Sequence, residues 1–330
     1  MRLTLNRGPD RGPAWLADGS GFLYSTQLIG TRESDVCLGQ LPATGGSQRR
    51  LTCALTPNSV NLRDALESAA PAFDGRLAFV AAISRLGAST PDVQSISLAT
   101  VDDPYTRQSL RPIPYSIPAG RLHGGVSQLR WLGPERLVFL AEAVIVFRPC
   151  QICPLDTLRS GLDAVWLATN EGAPVAPQAI AGTEFASGVS PGSTPDEVYY
   201  TLNGDPRVYR TQISTGGVAV VHDFGSSGFA RDVHVVGNRM AVIVGGRVAF
   251  TADPSFGPTQ WDSGGVVHVI NLQDGSDVTL DVPEGLSRRP QLSPSGSAVV
   301  AEVYPIIVSD LVPPDTIVGQ NGDLYRFDLP

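Results

Sequence analysis

The chain has no lysine; all 24 of its basic residues are arginine. That excludes a lysine Schiff base, and with it pyridoxal-phosphate chemistry, and it excludes the lysine of a phosphate-binding P-loop. Long apolar runs are missing too. The longest, residues 137–147, contains Glu142 and is far shorter than the about 20 residues a membrane helix needs. Positive charge is in deficit: the formal net charge is −8, which argues against non-specific nucleic-acid binding and against docking on anionic lipid. Strand-like sequence begins at Arg2, so no leader peptide is expected in the chain. The four histidines, His123, His222, His234 and His268, are scattered and match no zinc-ligand spacing, so packed or surface roles are expected.

What the sequence does have is a repeat. Residues 13–52 read as a short strand, a tight turn, a second strand, a loop, a third strand, a Gly45-Gly46 turn and a fourth strand. The apolar second strand recurs as Phe22-Leu23-Tyr24, Leu77-Ala78-Phe79, Leu137-Val138-Phe139, Val198-Tyr199-Tyr200, Met240-Ala241-Val242 and Ala298-Val299-Val300. The mean step is roughly 55 residues, slightly above the span of a four-stranded propeller blade. Third strands recur in register at Val36, Val93, Val165, Val208, Val267 and Leu324. The expected fold is therefore an all-β, six-bladed β-propeller in one domain, with blades near residues 13–53, 71–112, 128–182, 186–224, 231–283 and 288–330. The last blade lacks a fourth strand, and residues 2–6 have no partner of their own. Together they predict a ring closed by the N-terminal strand. Residues 61–69 have helical composition and predict a short helix over one face.

Two stretches carry a family likeness. LTLNRGPDRGPAWLADGSGFLYS and RRPQLSPSGSAVVAE resemble the WD40-like PD40 repeats of TolB-type propellers, with Ala17-Asp18-Gly19 and Ser293-Pro294-Ser295-Gly296 at the turn. The turn pattern is degraded in blades two to five. The resemblance covers essentially the whole chain. It implies a bacterial envelope protein that binds other proteins.

Cys37 and Cys53 flank the Gly45-Gly46 turn almost symmetrically, which predicts a cross-strand disulfide. Cys150 and Cys153 form a CxxC inside the longest insertion. It lacks a helix for redox work, further ligands for zinc, and a following histidine for haem, so a local disulfide is expected. Two such bridges favour an oxidising, extracytoplasmic compartment. Gly188-Val189-Ser190-Pro191-Gly192 matches the GxSxG nucleophile elbow, but a strand follows where the elbow needs a helix, and chance is the better explanation. No cofactor is expected; Asp310 and Asp315 are weak calcium candidates because their spacing fits no calcium loop.

The loops between second and third strands leave one face of the ring. Three are expanded: residues 143–163, 245–265 and 304–322, each rich in Pro, Gly or polar residues. An elaborated face of this kind predicts a protein-docking surface, with Phe147, Ile152, Leu155, Phe256, Trp261, Tyr304, Ile306, Ile307 and Leu311 as its apolar anchors. The leading expectation is a non-catalytic module carried by a larger envelope or membrane complex, for example as an extrinsic subunit of a respiratory or photosynthetic assembly. Protein partners are expected, with no nucleic acid and no membrane span. The alternatives are a channel enzyme of metal-dependent lactonase or quinone-dependent dehydrogenase type, and a peptide or small-ligand sensor. Candidates near the inner-strand ends are Arg11 and Arg231, with Asp10, Asp74, Glu184, Asp232, Arg288 and Arg289 beside them.

Overall fold

The computed structural model describes residues 1–4, 10–27, 36–52, 62–85, 93–102, 108–109, 126–147, 156–169, 177–245, 248–251, 259–262, 265–282, 285–308, 316–318 and 322–330. Six four-stranded antiparallel blades form a ring. Blade one holds β1 (Asp10–Trp15), β2 (Gly21–Gln27), β3 (Val36–Pro42) and β4 (Arg49–Thr52). Blade two holds β5 (Leu62–Pro71), β6 (Arg76–Arg85), β7 (Val93–Thr100) and β8 (Gln108–Ser109). Blade three holds β9 (Ser127–Leu132), β10 (Arg136–Phe147), β11 (Asp156–Thr169) and β12 (Gln178–Ala179). Blade four holds β13 (Ala186–Pro191), β14 (Glu197–Leu202), β15 (Arg207–Gln212) and β16 (Gly217–Asp223). Blade five holds β17 (Ala230–Val236) and β18 (Arg239–Val244), then an inserted hairpin, β19 (Val248–Thr251) with β20 (Thr259–Asp262), then β21 (Val266–Asn271) and β22 (Asp277–Leu280). Blade six holds β23 (Gly285–Leu292), β24 (Ala298–Val308), β25 (Thr316–Val318) and β26 (Asp323–Asp328).

The apolar second strands become the buried middle of each blade, and they pack between blades. Each of the six interfaces has its own cluster: Leu23 and Leu38 meet Leu66 and Phe79, Val80 and Ile96 meet Leu129 and Phe139, and so on around to Phe22 and Tyr24 against Val300 and Leu324. Burial of such side chains contributes about 1.5–3 kcal/mol each. Two tryptophans add a directional tie to the preceding blade: Trp15 Nε1 donates to Gln291 O at 3.0 Å, and Trp131 Nε1 donates to Ala70 O at 2.8 Å.

The N-terminal segment completes blade six as expected. Arg2 pairs antiparallel with Tyr325, Leu3 N donates to Leu324 O and Arg326 N donates to Met1 O. Asp323 accepts from the Arg2 guanidinium at 2.5 Å, and Thr4 Oγ1 accepts from Leu324 N at 2.9 Å.

Three expectations change. The helix expected over residues 61–69 gives way to strand: residues 62–69 fall in β5, because pairing with β6 from Leu62↔Arg85 to Pro71↔Leu77 overrides their local helical preference. The described parts of the expanded loops are largely paired strand. β10 and β11 continue their ladder to Phe147↔Asp156, the blade-five insertion pairs Val248↔Asp262 to Thr251↔Thr259, and β24 runs on to pair with β25. Continuing the ladder satisfies backbone groups that an irregular loop would leave to water. Tyr304 is not an exposed anchor; it is buried, with its hydroxyl donating to Glu302 Oε2 at 2.7 Å. Phe147, Trp261, Ile306 and Ile307 lie on these ribbons, and Ile152, Leu155, Phe256 and Leu311 fall outside the described residues.

Cys37 is buried on β3 and no described cysteine is a free thiol; Leu38 stands opposite Thr52, while Cys53, Cys150 and Cys153 lie outside the described residues. Among the described residues no helix is long and apolar enough to cross a membrane.

Removing residues 1–6 would strip at least three backbone hydrogen bonds from the ring seam, or roughly 3 kcal/mol. The expected result is a single cooperative unfolding step shifted down by about 6 °C at about 2 °C per kcal/mol. Calorimetry showing an unshifted transition would count against the N-terminal closure.

Candidate functional site

The inner strands β1, β5, β9, β13, β17 and β23 line the central channel, and each carries one extra residue relative to its partner. The ladder slips between Arg11 and Ala14, Glu67 and Ala70, Ser127 and Arg130, Ala186 and Gly188, Arg231 and His234, and Arg288 and Gln291. Five of these bulges hold a residue in the left-handed region: Gly12, Ser68, Gln128, Asp232 and Arg289. Only one is glycine. A bulge frees a backbone N–H from the ladder and re-aims a side chain, which is why bulges recur beside active sites.

In two bulges, and at Val189 just beyond a third, a backbone N–H is taken by a side chain of the preceding blade. Gly12 N donates to Glu302 Oε1 at 2.5 Å, Arg289 N to Asp232 Oδ2 at 3.2 Å, and Val189 N to Gln128 Oε1 at 3.0 Å. Gln128 then reaches across blade four: its Nε2 donates to Asp232 Oδ1 at 2.6 Å and also approaches Ser187 O at 3.3 Å. Blade four permits this because Gly188 abuts blade five. A Cβ there would lie 2.5 Å from Asp232 N. Glu302, fully buried on β24, is also met by Arg289 Nη1 at 3.1 Å. One polar belt thus runs from blade three to blade one.

The belt is strongly charged. Burial works to raise the Glu302 carboxyl, but Arg289, the Gly12 N–H, the Tyr304 hydroxyl and Arg288 outweigh it and hold it below the ordinary carboxylate range. Burial, then the Glu302 charge, push the Tyr304 phenol well up. Burial, with the like charge of Arg289, brings Arg130 down to about 10, and the Arg130 Nε has no hydrogen-bond partner among the described residues. Burial lowers Arg231 as well, and its guanidinium reaches Gly245 O at 3.4 Å. Burial and Arg130 hold His234 down to about 3. His234 Nδ1 accepts from Leu292 N at 3.0 Å, so the neutral ring carries its proton on Nε2. It can donate there, but it is no general base at neutral pH.

Five arginines, Arg11, Arg130, Arg231, Arg288 and Arg289, therefore share the channel mouth with Asp10, Asp232 and Glu302 among the described side chains. Of the residues the sequence points to, Asp10, Arg11, Arg231, Asp232, Arg288 and Arg289 belong to the cluster. Asp74 does not: it sits in the turn after β5, at the other end of the inner strand, paired with Arg76 at 2.7 Å. Glu184 is exposed just before β13. Gln128, Arg130, His234 and Glu302 were missed as site residues. The available signal for Glu302 was a lone acid in the apolar run Ala298-Val299-Val300-Ala301-Glu302-Val303. Ser190 is no nucleophile: it is buried, accepting from Val235 N at 2.9 Å and donating to Pro191 O.

A six-bladed lactonase fold implies a metal at this channel, and the residues here do not fit one. Both oxygens of Asp232 and both of Glu302 already accept from protein donors, and arginines surround them. Among the described residues no group of three or more His, Cys, Asp or Glu side chains is placed to hold a metal ion.

No family model and no curated protein matches the sequence. Among solved structures, a gluconolactonase from Xanthomonas campestris is 15% identical with TM-score 0.57, covering 100% of this chain and 88% of that one. A luciferin-regenerating enzyme is 14% identical with TM-score 0.56, covering 97% and 92%. TolB from Acinetobacter baumannii is 13% identical with TM-score 0.35, covering 98% and 57%, and supports nothing beyond its presence. These likenesses define the class, a six-bladed β-propeller. The expectation of a non-catalytic docking module is overturned: the propellers that share this fold above a TM-score of 0.5 include enzymes by name, and the ionisable residues gather at the channel mouth.

The depressed His234 value has a sign that can be checked. The unfolded state takes up a proton near pH 6.5 that the folded state refuses down to about pH 3, so stability falls as pH drops through that window. Between pH 7 and pH 5 the loss is about 2 kcal/mol at most. Urea melts of His234→Asn are expected to show a flatter acid limb; an unchanged slope would contradict the burial of a neutral imidazole. Glu302→Ala, which strands Arg289 and the Gly12 N–H, is expected to cost about 3–5 kcal/mol in the same melts.

Proposed function

We propose that the chain is a propeller enzyme that binds a small anionic substrate at the arginine-lined channel mouth and hydrolyses its lactone or ester bond. The observation that carries this is a contrast of charge: in a protein of net charge −8, the described side chains at the end of the channel where the inner strands begin include five arginines and three carboxylates. A cationic mouth between low-dielectric walls concentrates anions against the field of the whole molecule. Arginine offers a planar fork of donors matched to a carboxylate. The same donors stabilise the negative charge that develops on a carbonyl oxygen when water adds to it. In that step the water oxygen bonds to the carbonyl carbon and the C–O bond breaks. One water proton ends on the leaving oxygen and the other leaves with the new carboxylic acid. The gluconolactonase likeness brings the lactone as a substrate class; the arginines favour one bearing a negative charge.

The purified protein is expected to open carboxylate-bearing lactones or esters faster than their neutral counterparts, with chelator present or absent. Arg231→Gln and Arg288→Gln should each lower kcat/KM about 10²-fold. No turnover on either panel, or complete loss of turnover on chelation, would count against it.

A further inference from the structure

Two exposed phenylalanines stand at the end of the ring where the inner strands begin. Phe185 and Phe229 hold the same place in blades four and five, each the residue just before an inner strand. Each carbonyl accepts from the residue that follows the second strand, Asn203 N at 2.7 Å and Gly245 N at 3.1 Å. They are 51% and 44% exposed, whereas Phe22, Phe79 and Phe139 are fully buried; Phe73, in the turn at the other end of an inner strand, is 90% exposed. Neither is left out by slack chain. Gly228, before Phe229, packs so tightly on the end of β18 that a Cβ would stand 2.6 Å from Gly245 Cα. Phe185 is held at φ +75°, a left-handed conformation that a bulky side chain adopts only against strain. Strain of this sort marks positions where the side chain's placement matters. Arg231 follows Phe229 by two residues, and Arg288 comes from the next blade.

Resting on the reading of the mouth as a substrate site, we propose that its ligand is an amphipathic carboxylate. An aromatic or alicyclic body lies on Phe185 and Phe229, and the carboxylate lies on Arg231 and Arg288. Exposed Glu184, beside Phe185, repels the charged end from blade four and so fixes the orientation. A half-exposed aromatic pair supplies the contact area that a hydrophilic sugar acid would waste.

The test is calorimetric titration at fixed ionic strength with 3-phenylpropionate, propionate and 3-phenylpropionamide. The acid with the ring is expected to bind at least about tenfold tighter than either analogue, a difference of about 1.4 kcal/mol. In the double variant Phe185→Ala, Phe229→Ala the advantage over propionate should disappear; in Arg231→Gln, Arg288→Gln the advantage over the amide should disappear. Phe185→Gly relieves the left-handed strain, so it should lose ring preference without a fall in melting temperature, separating ligand contact from folding. Equal binding of propionate and phenylpropionate, no measurable binding of phenylpropionate, or ring preference surviving the phenylalanine variants would overturn the proposal. Ring-selective binding with no turnover on any lactone or ester would instead remove the hydrolase and leave this proposal standing. Turnover of sugar lactones with no ring preference would do the reverse.

Discussion

The structure depends on one recurring contact: a backbone N–H released by a bulge on one inner strand is accepted by a side chain from the blade before it. Gly12 N finds Glu302 and Arg289 N finds Asp232, and just beyond the bulge of β13 Val189 N finds Gln128. An unsatisfied buried N–H costs about 1–3 kcal/mol, so at these positions the preceding blade presents an acceptor. Where that acceptor is a buried carboxylate it obliges a cation in turn, and Arg289 lies on Glu302. The bonds that hold the blades together at the axis are thus the ones that gather charge there. On the outside the seam between blades six and one is tied by Arg2, Leu3 and Thr4; near the axis it is tied by Glu302.

The same arrangement underlies the proposal that the mouth takes anions rather than metal ions. Asp232 and Glu302 spend their oxygens on the frame, and among the described side chains there arginines outnumber carboxylates. His234 is kept neutral by burial and by Arg130, so it adds a donor but no positive charge. In the proposed hydrolysis, recognition and charge stabilisation fall to the arginines, and water supplies the nucleophile. Phe185 and Phe229, just before the inner strands of blades four and five, add a surface that water solvates poorly.

The ring was legible because its signal is periodic. Six apolar second strands and a missing fourth strand lead to six blades and an N-terminal closure. The belt was not legible because a bulge is a property of pairing, not of residue type. Of the five left-handed bulge residues only Gly12 announces itself; Ser68, Gln128, Asp232 and Arg289 are held there by their neighbours. Residues 61–69 carry Leu, Ala and Glu, good helix formers, and a strand resulted because β6 stood ready to pair with them. Proline and glycine in the expanded loops concealed the short strands β20 and β25. The arginines at the inner-strand starts were visible as residues, but their convergence with Arg130 and Glu302 exists only once the ring is closed.

The most direct measurement is a crystal structure of the protein grown with an aromatic carboxylate and a calcium salt together. The account predicts the carboxylate at the channel mouth on Arg231 and Arg288, with Asp232 and Glu302 still bonded to Arg289 N and Gly12 N. A cation coordinated by Asp232 or Glu302, with the carboxylate elsewhere or absent, would contradict it.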